Sequence, residues 1–202
     1  MAITIRPATA ADVAEIMRFI KALAHYERGL EQVTATEEGL LRDGFGPQPF
    51  YECLIADLNG KPAGFALYFY NYSTWRGQPG IYLEDLFVEP ELRGLGIGKA
   101  LLERVAAAAI RKGCRRLQWQ VLDWNTPAID FYVAMGGEFM NEWRTVRLDD
   151  EALDRLAAGT GIDRLAAGTG TDRKADATGN DSGERAGGNP NGVLAGDAET
   201  AP

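Results

Sequence analysis

Arg93, Gly96 and Gly98 form an Arg-x-x-Gly-x-Gly run between an apolar stretch, Ile81–Val88, and a helical pattern opening at Gly96. Small residues let the backbone approach an anion, and the unpaired N–H groups of a helix's first turn point at it. The chemistry of such a loop is phosphate binding. A Walker loop would need Ser or Thr after Gly-Lys, but Gly98-Lys99 is followed by Ala100, and Arg93 stands where the first Gly belongs. A dinucleotide fingerprint fails too, because Gly94, Gly96 and Gly98 have the wrong last spacing and lie in mid-chain. An ordinary strand-turn-helix connection stays open as the alternative.

Glu84 and Asp85 interrupt the apolar stretch just before this loop. Side chains alternate along a strand, so adjacent carboxylates are expected on opposite faces, with at least one desolvated. A buried carboxylate needs a partner. That partner is either a structural cation or a substrate's ammonium, from which the carboxylate could relay a proton. Tyr132 follows Phe131 on a later helical pattern, where a tyrosine is either core or a proton donor. Asn125 stands at that helix's N-cap position. Cys53 and Cys114 fit no metal or CxxC pattern and read as buried reduced thiols. His25 is the only histidine, so a histidine triad or multi-histidine metal site is not expected, and no metal is assigned.

The elements that must position these groups alternate strand and helix patterns. Strands are expected at 3–6, 51–57, 62–72, 81–88, 116–122 and 143–148. Helices are expected from Thr9 (with Asp12 as a capping box and Val13, Ile16, Met17, Ile20, Leu23 and Ala24 on one face), from Thr36 to Leu41 ended by Gly44, over 96–112, and over 126–135. Asn59-Gly60 predicts a two-residue hairpin turn, and Gly113 a helix stop. The sum is an α/β (α+β) domain, a mixed sheet with helices on both faces. It occupies residues 1–153. From 154 to 202 the chain carries a nine-residue near-repeat beginning at Asp154 and Asp163, then Gly, Asn, Asp and Ala without aromatics; a disordered tail is expected from about 157.

A net charge of −8 argues against a nucleic-acid partner, which needs a basic patch. It suits a soluble protein with a cationic substrate. The absence of a long apolar run or leader pattern gives no support for a membrane span or secretion, and a cytoplasmic location is expected.

The Arg93–Gly98 motif, its preceding strand and the run Asn125-x-x-Ala128-x-x-Phe131-Tyr132 resemble the GNAT acetyltransferases, and the element order is that of their fold. The resemblance spans about Ile3 to Leu148. Ile5–Asp12, Asp43–Gly46, Pro49–Tyr51, Tyr82–Asp85 and Asp123–Asn125 are similar to the diamine, or spermidine/spermine, subfamily. Tyr72–Trp75 and Val121–Asn125 are closer to its sister branch, which prefers the lysine analogue thialysine. What the resemblance implies is a mostly antiparallel sheet splayed between its fourth and fifth strands, acetyl-CoA as cosubstrate, and a homodimer. It implies acetyl-CoA contacts from Phe87, Val88, Arg93, Gly94, Leu95, Gly96, Ile97, Gly98, Lys99 and Asn125, with an oxyanion-binding N–H where the strand bulges near Phe87 or Val88. Glu84 would take the acceptor's proton, Tyr132 would protonate the leaving thiolate, and Glu84, Asp85, Trp75 and Glu27 would line the acceptor site.

Ser73 stands where the polyamine branch has an acid, which argues against long polyamines. The expected activity is direct N-acetylation of a small cationic amine: thialysine, a lysine-like compound, a diamine or a polyamine. The alternatives are acetylation of protein or peptide amines, for which Glu27, Glu31 and Asp43 do not exclude a lysine side chain, and a CoA-binding module without chemistry.

Overall fold

The structure, a computed structural model, describes residues 2–159. The described residues fall into two units, divided between Met140 and Asn141. The first is built on a five-stranded sheet in the order β1-β2-β3-β4-β5. The strands are β1 (Ile3–Pro7), β2 (Glu52–Leu58), β3 (Lys61–Ser73), β4 (Gln78–Val88) and β5 (Leu117–Gln118). The first three pairings are antiparallel, and β4 with β5 is parallel.

Local chemistry accounts for most of the joints. Asn59 and Gly60 both adopt positive φ (51° and 79°), the primed turn that matches strand twist, so β2 and β3 pair from Leu58 opposite Lys61. Asp12 Oδ2 accepts from the Thr9 N–H and hydroxyl at 2.8 Å, and opens a short turn leading into α1 (Val13–Tyr26). Thr36 Oγ1 accepts from the Gly39 N–H and caps α2 (Glu37–Phe45). That helix runs through Gly44, which was expected to end it. Gly113, at φ 74°, follows α3 (Ile97–Arg111), and Asn125 caps α4 (Thr126–Ala134).

The period-2 pattern of the strands separates two cores. Leu54, Ala56, Ala66, Tyr68, Ile81 and Leu83 pack beneath α3 and α4. Their neighbours Cys53, Ile55, Phe65, Leu67 and Phe87 pack against α1 and α2. Phe19, fully buried and stacked on Phe65 at 5.5 Å, anchors α1, although the expected apolar stripe had not included it.

The fifth strand is shorter than expected. Only Ile81–Leu117 and Tyr82–Gln118 pair, so β4 runs on to Val88 without β5 beside it. Residues 119–122 carry a strand's sequence but leave the ladder, which opens the sheet beside the second half of β4.

In the second unit the strand expected at 143–148 is irregular chain. The alternation is present, but the segment is not assigned as a strand, and Val146 is 89% exposed. Helix α5 (Asp150–Gly159) begins with two acids at its N-terminus and carries an Arg155–Glu151 pair at 3.4 Å. It takes in the start of the near-repeat at Asp154 and runs to Gly159, past the point near 157 where a disordered tail was expected to begin. The remainder of the near-repeat and of the tail lies outside the described residues. Among the described residues, no helix is long and apolar enough to cross a membrane.

Candidate active site

The register between β3 and β4 slips by one residue. Leu67 faces Asp85, yet its neighbour Tyr68 faces Leu83. Glu84 is the extra residue of a β-bulge, three to four positions before Phe87 and Val88, where the bulge was expected. The slip overturns the expectation that Glu84 and Asp85 face opposite ways. Leu83 points into the α3 core, so Glu84 points to the α1 face. Asp85, opposite Leu67 and two before Phe87, points to that same face. Both carboxylates therefore lie on one side of the sheet.

They differ in surroundings. Glu84 is exposed, while Asp85 is partly covered. Burial, followed by the charges of Glu84 and Glu27, pushes the Asp85 carboxyl up to about 7. Glu27, which follows the last turn of α1, is itself raised by partial desolvation. Its charge also acts on Tyr132, whose phenol is pushed up to about 12, chiefly by burial. Glu27 thus couples electrostatically to a carboxylate on β4 and a phenol on α4. Tyr132 is buried against Trp119, with ring centroids 5.0 Å apart, on the side where the sheet opens.

The loop after β4 has the geometry of an anion cradle. Gly94 and Gly96 sit at φ 79° and 87°, the left-handed region that suits glycine, and Gly96 is the N-cap of α3. The first turn of α3 contains no acidic residue. Ile97 is buried in the core, whereas Leu95 and Lys99 are exposed and Lys99 pairs loosely with Glu103 at 3.7 Å. Gly98 lies beside Val88 and Phe131, and a Cβ there would meet them only at ordinary contact distance.

Glu89 N–H donates to Ala63 C=O, which turns the backbone of Val88 to the open edge. By the same alternation Phe87 faces β3, and its ring is buried between the helices and the sheet. Arg93 folds back rather than outward. Its Nε donates to Val88 C=O at 3.1 Å, and its guanidinium lies 4.5 Å from the Tyr26 ring centroid.

Tyr26 was missed by sequence reasoning. Its hydroxyl donates to Asn125 Oδ1 at 2.9 Å, joining the end of α1 to the cap of α4 across the opening. The available signal was an aromatic extending the α1 apolar stripe by one turn, which by itself indicates packing. Asn125 is buried, and its Oδ1 also accepts from the Ala128 N–H.

Trp75 is not brought to this cluster. It lies in the β3–β4 turn, 85% exposed, while Glu84 is six residues, roughly 20 Å, along β4 from Gln78. Ser73 is buried in the same turn and accepts from the Arg76 N–H at 3.4 Å. The thiols of Cys53 and Cys114 are buried, free and raised by desolvation, which leaves them inert as nucleophiles. Among the described residues, no group of His, Cys, Asp and Glu could hold a metal ion.

Comparison with known proteins gives a consistent picture. The model of the acetyltransferase (GNAT) family matches residues 16–136. A thialysine N-epsilon-acetyltransferase of Bos taurus is 43% identical over 166 residues, covering 77% of this chain and 97% of that protein. An L-ornithine N5-acetyltransferase of Arabidopsis thaliana is 32% identical, with 75% and 86% covered. Among solved structures, an integron cassette protein from the mobile metagenome of V. cholerae superposes with a TM-score of 0.66 at 27% identity, covering 78% of this chain and 98% of that one.

Proposed function

From the premise that this chain belongs to the GNAT acetyltransferase family, we propose that it acetylates the side-chain amine of a small cationic metabolite, with acetyl-CoA as donor and Asp85 as the proton acceptor. The chain is an N-acetyltransferase. The observation that carries the proposal is the bulge at Glu84, which puts two carboxylates on one face beside the opening of the sheet.

The residues present fit acetyl-CoA. Gly94 and Gly96, with the first-turn N–H groups of α3, would hold the pyrophosphate. The parted edges of β4 and β5 would receive the pantetheine arm, with Asn125 beside it. When bound, acetyl-CoA supplies an activated acetyl thioester.

This chain's own residues then meet three demands. An alkyl ammonium with a pKa near 10 must lose a proton before it attacks. Asp85, with a carboxyl near 7, is poised to accept it at neutral pH, while the exposed Glu84 and nearby Glu27 favour the cation's approach. The role expected of Glu84 thus passes to Asp85. Negative charge developing on the acyl oxygen needs a donor, and Val88 N–H points into the opening to supply one. The departing sulfur needs a proton, and the phenol of Tyr132 keeps one across the working pH range. Transfer is direct in this proposal, since the thiols of both cysteines are buried and kept protonated by desolvation.

A homodimer and a cytoplasmic location belong to the same proposal, on the family resemblance. The test is purified protein with acetyl-CoA and a panel of thialysine, lysine, ornithine, putrescine, spermidine and a lysine-containing peptide. Acetylated free amine is expected. Acetylation confined to the peptide would overturn the reading.

A further inference from the structure

At the far end of β4 from the phosphate cradle, Arg116 sits on the α1 face of the sheet. Leu117 and Trp119 pack on the opposite core, and Gln118, on Arg116's side, is hydrogen-bonded to Asn71. The Arg116 side chain crosses β4 at Gly80. A Cβ on Gly80 would stand 2.5 Å from Asn71 Oδ1, 3.2 Å from the Arg116 carbonyl and 3.4 Å from Arg116 Nε, so glycine is what lets Asn71 and Arg116 close over the strand.

The guanidinium is poorly satisfied there. Its Nη2 reaches Asn71 Oδ1 only at 3.4 Å, its buried Nε has no hydrogen-bond partner, and no carboxylate of the described residues forms an ion pair with it. Arg116 is half-buried, and because a buried guanidinium donor left unmatched is costly, an anion is its natural partner.

Gly80 and Tyr82 share the face to which Glu84 and Asp85 point. Between the arginine and the carboxylates the floor is the stacked pair Phe69–Tyr82, with centroids 5.3 Å apart. Gly80 pairs with Asn71 and Asp85 with Leu67, four steps apart along β3, about 13 Å. A hydrogen bond of about 3 Å at each end leaves roughly 7 Å for a ligand, the reach of an extended side chain of lysine length.

Building on the reading of this site as an amine acetyltransferase, we propose that Arg116, held over Gly80 and flanked by Asn71 and Gln118, binds the carboxylate of an amino-acid acceptor whose side-chain amine reaches Asp85. The site then selects a basic α-amino acid over a diamine. A second ammonium at the far end would meet a guanidinium, and the Ser73 hydroxyl, occupied by the Arg76 N–H, offers it no charge.

The test compares wild-type kcat/KM for thialysine, its carboxamide and its decarboxylated diamine. The free acid is expected to be preferred by at least about tenfold, the scale of a hydrogen bond to a charged group. Arg116→Gln should erase that preference by lowering kcat/KM for the acid, with the carboxamide and the KM for acetyl-CoA held within about twofold. Arg116→Lys should restore part of it. Equal use of acid and carboxamide by the wild type, which needs no variant to fold, would overturn the proposal. So would a preference that survives Arg116→Gln. Transfer to none of the three, nor to any other amine, would instead overturn the acetyltransferase reading itself.

Discussion

Glu84 and Asp85 are adjacent in the chain yet present their carboxylates to the same face of the sheet, because β3 advances one residue from Leu67 to Tyr68 while β4 advances two between their partners, Asp85 and Leu83. The pair is therefore a local concentration of negative charge in which the better-covered member is held partly protonated near neutrality. That asymmetry assigns the roles: Glu84 attracts the cation, and Asp85 takes its proton.

Gly96→Ala places a Cβ at φ 87°. The left-handed penalty should lower stability by about 1–2 kcal/mol, read from the denaturation midpoint. It should also raise the KM for acetyl-CoA several-fold, with the amine KM unchanged.

Tyr132→Phe removes a phenolic proton while keeping the ring packed on Trp119. kcat should fall by about 10²-fold or more, with acetyl-CoA affinity retained in a direct binding measurement. Acceptors are not expected to differ in this loss, because the proton goes to the common leaving group.

Asp85 also shapes stability. Its carboxyl binds a proton more tightly in the folded chain than in the unfolded one, so the folded state loses stability as pH rises from the ordinary carboxylate range through about 7. Asp85→Asn abolishes that decline. Relative to wild type, the variant should gain on the order of 4 kcal/mol at most between pH 4 and pH 8, measured by urea unfolding at both. A constant difference across that range would remove Asp85 as the titrating group.

Much of this site was legible because its signals are local. The Gly94–Gly98 loop, the Asn125 cap, the Thr36 cap and the Asn59-Gly60 turn each depend on a few consecutive residues. The bulge is not of that kind. Nothing in Leu83–Leu86 marks it, since it exists only in the pairing with Leu67 and Tyr68, and periodicity assigns Glu84 and Asp85 to opposite faces. Tyr26 was illegible for a related reason: its partner Asn125 lies 99 residues away. Alternation at 119–122 and 143–148 reads as strand because it records a capacity to pair, not the ladder itself, and beside β4 only Leu117 and Gln118 realise it.

The most direct measurement is the pH dependence of kcat/KM for the best amine acceptor in wild type, Asp85→Asn and Glu84→Gln. Wild type should show an acidic limb with an apparent pKa near 7. Asp85→Asn should lose that limb and about 10²-fold or more of kcat, whereas Glu84→Gln should keep the limb, shifted downward by loss of a neighbouring charge, and mainly raise the amine KM. A limb near 7 that persists in Asp85→Asn and vanishes in Glu84→Gln would contradict the assignment.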